Sequence, residues 1–489
     1  MLRGATLGAI LATLGASAIG AMGVACAASY GAEDAPTDGG SSDAPGTDGT
    51  APIVIPKDCD LSKAPKDSPA CIDDGVAIFV APAGNDSANG AKNAPVATVA
   101  RAVELSQASG RPRVYVCEGN YDKPATVTSA LAIYGGLSCS WTPNGAKPRL
   151  APPSGVALTI RGVSGAALVQ DFAIDGAANP SKAGDSAIGV FVATSSNVTL
   201  RNVTITAGAG TDGGKAPPHD NYVIGMTAAN GNSAVMSFGG PAALCMCKDG
   251  TRSTGGAGAG MLGTPSSGTA TPAVGVANVG TSAPLSCTDG LAGTNGNAGI
   301  DATPSMSVDA ISAMGWQAAQ APPAPDGAPG QGGGGGGAKT MPTNAGGGGG
   351  CGGCGGGGGA AGPSGGSSFA LLSFNSSITF DGGSLASGRA GRGGNGGDGQ
   401  PGQEGGAGGT GAGCNGGTGG AGGAGSGGPG GGGGHSAAIA WNALMPTTTN
   451  AMLTHGTSGA AGAGGMAAGG MTSPGPDGSA GRADTALRF

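Results

Sequence analysis

Asp171, Asp175 and Asp185, with Arg161 and Arg201, are the side chains that come nearest to a polysaccharide-cleaving set. Lyases and hydrolases of that kind need clustered carboxylates, as acid and base or to hold Ca²⁺, often beside a basic group. Asp171 and Asp175 also sit where a repeating coil would turn, as does Asn202, and turn stabilisation is the preferred reading for them. The three histidines, His219, His435 and His455, lie in Gly-, Pro- or Thr-rich surroundings without ligand spacing. No H-E-x-x-H or P-loop occurs, and sugar platforms would need more than three Trp. The expectation is therefore no catalytic residue, no cofactor and no metal.

Cysteine is the next reactive type. Of 11 Cys, one stands apart near the amino terminus, Cys26. The other ten are Cys59, Cys71, Cys117, Cys139, Cys245, Cys247, Cys287, Cys351, Cys354 and Cys414, an even set of disulfide candidates for an exported chain. Short loops suggest Cys59 with Cys71, Cys117 with Cys139, and Cys287 with Cys245 or Cys247. Cys351-Gly-Gly-Cys354 has the spacing of a redox or zinc pair, but it lacks a partner CxxC or a spaced His. In an extended period-three helix its two Cα atoms would stand ~9 Å apart, too far for a disulfide. Either the backbone turns there or the two thiols pair elsewhere, Cys414 being one candidate.

The chain opens Met1-Leu2-Arg3 and continues in an apolar run from Ala5 to Met22 with no ionisable residue. A charged start, an apolar run and small residues make a secretory signal, and a run so rich in Ala, Gly, Ser and Thr is weakly apolar for a permanent span. Met22-Gly23-Val24-Ala25-Cys26 resembles a bacterial lipoprotein box, in which the Cys26 thiol is lipidated. Gly23 departs from the aliphatic residue of that pattern, and cleavage after Ala27 is the competing cut. Residues 27–56 form an acidic spacer, which through Pro52 is largely Gly, Ser, Pro, Thr, Ala and Asp and too apolar-poor to order itself. The expected partners are a membrane, through lipid on Cys26, and surface polysaccharide or other envelope proteins. The net charge of −7 and a pI near 4.9 argue against nucleic acid.

Ordered structure is expected from residue 57. Val76–Val80 reads as a strand, Pro95 as a first helical residue followed by Val96, Val99 and Val103 at helical spacing, and Arg113–Cys117 and Ala130–Tyr134 as further strands. The run Phe79-Val80-Ala81…Gly84…Asp86…Gly90…Pro95…Thr98…Ala102-Val103, then Gly119…Tyr121 and Gly135-Gly136, resembles the amino-terminal end of right-handed parallel β-helix, pectate-lyase-like proteins. That resemblance covers residues 75 to 206 and implies a short helix capping the apolar core; it specifies fold better than function. Short apolar runs at Val156–Ile160, Ala167–Ile174, Ile188–Val192 and Val198–Ile205 agree with stacked coils.

Ile188–Gly208 also matches Ser368–Gly388 without a gap: Val190 meets Ala370, Val192 meets Leu372, Val198 meets Ile378, Leu200 meets Phe380 and Ile205 meets Leu385. Both segments then belong to one all-β solenoid. Its parts are an amino-terminal portion at 57–207, a Gly-rich insert at 208–367, a coil at 368–390, a period-three insert at 391–434, and a final weak coil with a Gly-rich tail at 435–489. Gly makes up 109 of 489 residues and recurs at every third position from Gly393 to Gly411 and from Gly413 to Gly434. Such tracts are either flexible or packed as polyglycine-II-type helices. They resemble Gly-Gly-x surface proteins of the PGRS type and predicted myxobacterial exported lipoproteins. Gly393-Gly-Asn-Gly-Gly-Asp398 resembles a calcium-binding β-roll repeat, but Gln400 stands where that motif needs a large apolar residue. The reading reached is a non-catalytic envelope or surface protein with a structural or adhesive role. A carbohydrate-active enzyme is the first alternative, and ice or matrix binding the second.

Overall fold

The computed structural model describes residues 53–304, 308–468 and 474–489. The expected signal segment, Cys26 and the expected spacer through Pro52 lie outside them. The described residues are mostly β, with one α-helix among them, and their parallel strands form a curled sheet consistent with a β-helix.

Two sheets carry the fold, and every pair within them is parallel. The larger begins with Ala77–Val80, Arg113–Cys117, Leu131–Leu137 and Ala167–Gln170, continues into Val198–Ala207, and reaches Ile378–Ser387 and Thr447–Thr454. The smaller runs Ala125–Val127, Leu158–Arg161, Ala187–Ala193, Ser368–Phe374, Ser436–Trp441 and Ala483–Arg488. Alternate residues of both sheets meet in one core that includes Val190, Val192, Leu200, Ile205, Leu371, Phe380 and Ile439. Val99, Ala102 and Val103 of the helix Val99–Ser109 close that core at its first coils. The helix starts later than Pro95, because Thr98 is its N-cap, its hydroxyl accepting from the Arg101 amide at 3.2 Å.

The match between the third and fourth coils needs one correction. Val198, Leu200 and Ile205 do pair with Ile378, Phe380 and Leu385. In the preceding strand, however, Val190 pairs with Leu371 and Phe191 with Leu372, one residue on from the ungapped match. The corner between the strands is Thr194 to Asn197 in one coil and Asn375 to Ser377 in the next, one residue shorter. A one-residue slip exchanges the two faces of a strand. Leu371 therefore joins Val190 in the core, while Leu372 joins Phe191 on the outer face. The last strand, Ala483–Arg488, was hidden in the expected tail.

One corner of the larger sheet turns through left-handed residues in coil after coil. Gly136, Asp171, Asn202, Gly382 and Asn450 have φ of 75°, 59°, 50°, 73° and 51°. Only Gly, Asn and Asp adopt that conformation at small cost, which accounts for the sequence there.

The Gly-rich segments leave the coils and bond to one another. In 345–366, the amides of Gly347, Gly350, Gly353, Gly356, Gly359, Gly362 and Gly365 donate to the carbonyls of Cys414, Gly417, Gly420, Gly423, Ser426, Pro429 and Gly432, at 2.8–3.0 Å. The segment 391–409 runs antiparallel to it and donates at every third residue, from Gly391 to Gly366 through to Gly409 to Gly348. The segment 416–434 in turn donates to 391–409 at the same interval. A carbonyl lies about where each Cβ would be: 1.8 Å from one built on Gly353, 2.1 Å from one built on Gly393. A side chain at either of those glycines would separate the segments, whereas Gln400 and Gln403 are accommodated by bonding to the Gly357 and Cys354 amides. The third face is open, and along 391–410 it carries Arg392, Asn395, Asp398, Pro401, Glu404, Ala407 and Thr410, all exposed.

Candidate functional site

A concavity with converging polar groups lies against the outer face of the smaller sheet, a cleft of about 370 Å³. Its roof is the antiparallel hairpin Ala310–Ser312 and Gly315–Gln317, which brings Ile311 and Trp316 onto Phe191, Phe369 and Leu372. Trp316 meets Phe369, His435 and Phe489 edge-on, with ring centres 5.0, 5.5 and 4.6 Å apart. The Arg482 guanidinium lies 4.7 Å from the centre of the Phe489 ring.

His435 is the polar centre of this cleft and is buried, 5% exposed. Its Nδ1 accepts from the Arg482 amide at 2.9 Å, so in the neutral ring the proton sits on Nε2. Nε2–H then donates to the Asp309 carboxylate at 2.8 Å, and Asp309 also accepts from the Ala319 amide at 2.8 Å. Burial pushes the Asp309 carboxyl up, but the hydrogen bonds from His435 and Ala319 outweigh it and hold the group below its usual range. Both ring nitrogens are thus in use. The neighbouring hydroxyls are occupied too: Ser364 donates to the Ala319 carbonyl at 2.6 Å, and Ser367 accepts from the His435 amide at 3.0 Å. The arrangement ties the hairpin, the glycine segments and the last strand together, and it presents no base poised on a nucleophile.

The sequence-derived carboxylates go elsewhere. Asp171 stands at the left-handed corner and accepts from Asn202 and, at 3.0 Å, from Gln170. Asp175 is in the strand Ala173–Gly176 rather than at a turn, ion-paired with Arg149. Asp185 holds Lys182 at 2.8 Å and the Asn179 amide at 2.9 Å. Arg161 donates to the Ala313 carbonyl at 2.9 Å, and Arg201 pairs with Asp381 at 3.3 Å. Among the described residues no three His, Cys, Asp or Glu gather as a metal-holding group. Gln400, the residue out of place in the β-roll pattern, is buried: its Oε1 accepts from the amides of Asn221 and Gly357 at 2.7 and 3.1 Å. His219 meets the Gly358 carbonyl at 3.0 Å, and His455 is exposed. Nothing local in the sequence signals the Asp309–His435–Arg482 group, whose members are far apart along the chain.

Five disulfides close the molecule, as suits an oxidising extracellular compartment. Cys59–Cys71 and Cys117–Cys139 are the expected short loops. The other three are long. Cys351 pairs with Cys245, Cys354 with Cys247, and Cys287 with Cys414. Cys287 therefore does not pair with Cys245 or Cys247, and Cys414 takes neither thiol of the CxxC. Those guesses assumed that nearness in sequence decides, whereas the glycine segments run side by side and bring distant residues into register. No helix among the described residues is long and apolar enough to cross a membrane.

A family model described as a protein of unknown function, DUF1565, matches residues 82–323, just under half of the 489-residue chain. The family is associated with parallel β-helix proteins, as the parallel strands here would suggest. No curated protein and no solved structure matches the chain.

Proposed function

We propose that this chain is a non-catalytic cell-envelope or surface protein, exported and tethered by lipid on Cys26, in which a right-handed β-helix carries a rigid polyglycine-II-type array. Its role is structural or adhesive. The observation that carries the reading is the inter-segment bonding of the glycine tracts at every third residue, which supports a stiff body presenting rows of surface side chains instead of a pocket. The carboxylates that a polysaccharide lyase or hydrolase would use are engaged one by one with Arg149, Lys182 and Asn202. The His435–Asp309 pair braces the cleft and leaves no ring nitrogen free.

The test is binding without turnover. On a glycan array the full chain is expected to retain surface polysaccharides, with no release of unsaturated or reducing ends from any that it binds. Lyase or hydrolase activity that survives repurification would overturn the reading. The tether is tested separately by radiolabelled palmitate in a lipoprotein-competent host, where Cys26→Ala is expected to abolish labelling.

A further inference from the structure

We infer that the far end of the glycine array is a membrane-docking surface, its occupant the lipid–water interface of an envelope membrane. The inference rests on the envelope reading only for the tether that holds the protein near that membrane.

Five turns of the chain meet at this end, four of them apolar; the fifth, at 410–415, is polar and joins the third through the Cys287–Cys414 disulfide. Val235 and Phe238 close the first turn by reciprocal backbone bonds, and the Met261 amide of the second donates to the Ser237 carbonyl of the first at 3.1 Å. The Met341 amide of the fourth donates to the Pro284 carbonyl of the third at 2.9 Å. Gly346, just past the fourth turn, joins the two pairs: its amide donates to Ala259 and its carbonyl accepts from Gly240, both at 2.9 Å. The side chains at these turns face solvent. Met236 is 87% exposed, Phe238 73%, Leu262 95%, Leu285 80% and Met341 65%.

Apolar side chains scattered singly on a surface are ordinary, and this array has some along its length; exposed apolar side chains on four neighbouring turns, in adjacent pairs on the first two, are not. None of Val235–Phe238, Gly260–Gly263, Ala283–Cys287 or Thr340–Thr343 contains an acid or a base, and the fourth is bordered by Lys339. Lipid fits this chemistry better than a protein groove. The side chains stand out separately, with Met the most frequent among them, and a fluid acyl layer needs no matching shape. Closed turns satisfy much of their own backbone, so a shallow insertion exposes few unpaired amides to hydrocarbon. Lys339 and Asp289 border the fourth and third turns, one charge of each sign, so the margin has the mixed polarity of a headgroup region. Residues 27–52 span roughly 85 Å when extended. The segment 345–366 is roughly 70 Å long at the rise of a period-three helix. A tether on Cys26 therefore leaves the apex free to reach the same membrane.

The test is vesicle flotation of the full chain carrying Cys26→Ala, with phosphatidylcholine vesicles and with phosphatidylcholine–phosphatidylglycerol vesicles. The protein is expected to float with both sets. Met236→Asp with Leu262→Asp is expected to lower the floated fraction at least tenfold. Ile300→Asp, an exposed apolar site at the other end of its segment, is expected to leave it unchanged, and all variants are expected to keep the denaturation midpoint of the parent. Absence of flotation, an undiminished double variant, or an equal loss in Ile300→Asp would each overturn the inference. Light scattering gives the rival occupant: a dimer lost in the double variant, without vesicle binding, assigns the apex to a second copy. Palmitate labelling without flotation refutes the apex alone, and flotation without labelling refutes the tether alone.

Discussion

Gly353 has no room for a single methyl group, since a Cβ there would stand 1.8 Å from the Gln403 carbonyl oxygen, a backbone atom that cannot swing aside. Gly353→Ala is expected to cost about 1–3 kcal/mol, the usual range for overpacking a tight interior, and to lower the thermal midpoint by several degrees. Ala407→Ser, on the open face of the neighbouring segment, is expected to change stability by less than about 0.5 kcal/mol. Equal midpoints for the two variants would mean that the tract is not packed. Asp309 offers a second test at this scale. Its folded-state pKa is lowered, so its contribution to stability is present above the ordinary value of 3.8 and is lost as pH falls through the lower folded value. Asp309→Asn is therefore expected to be less stable than the parent near neutrality, with the gap closing in acid; denaturant melts across pH would show it. A gap independent of pH would remove the carboxylate from the account.

Elements of two different periods are matched by two disulfides. Cys245 and Cys247, on the strand Leu244–Met246 and just beyond it, are two residues apart and share a face by strand alternation. Cys351 and Cys354 are three residues apart and share a face by the period of the extended helix. The pairs meet with Cα separations of 6.1 and 5.7 Å, each closing a loop of more than 100 residues. Replacing Cys247 and Cys354 together by Ser is expected to cost about 2–4 kcal/mol in chemical denaturation. A loss no greater than that of an exposed Ser substitution would sink the claim that the staple orders the insert. The sequence shows that Cys351 and Cys354 cannot pair with each other if the tract keeps its extended period, because period and rise are local. It does not show their partners, because which segments lie side by side depends on where long connections return. The same limit explains the one-residue register error in Ala187–Ala193: an ungapped match cannot see that one corner is shorter.

For the molecule as a whole, the central prediction is rigidity where composition suggests a flexible chain. Amide hydrogen exchange should protect Gly347–Gly365 about as well as the core strand Ser368–Phe374, since both have their amides bonded inside the body. Exchange of the tract within seconds, beside a protected strand, would leave the β-strands and return the inserts to flexible linkers.

Local rules determined much of this protein from sequence alone. Alternating apolar residues gave the strands, Val96, Val99 and Val103 at helical spacing gave a helix, Asp171 and Asn202 marked a turning corner, and glycine at every third place gave the period of the tracts. These depend on neighbours within a few residues, where sterics and period act directly. Tertiary structure alone decided that Asp309, His435 and Arg482 meet, that Asp175 and Asp185 are taken by Arg149 and Lys182, which thiols join, and that apolar turns gather at one end. Each of those depends on which distant segments pack together. A backbone lattice of nearly identical glycine segments carries little side-chain code for that choice, so the few non-glycine residues and the cysteines between them specify it.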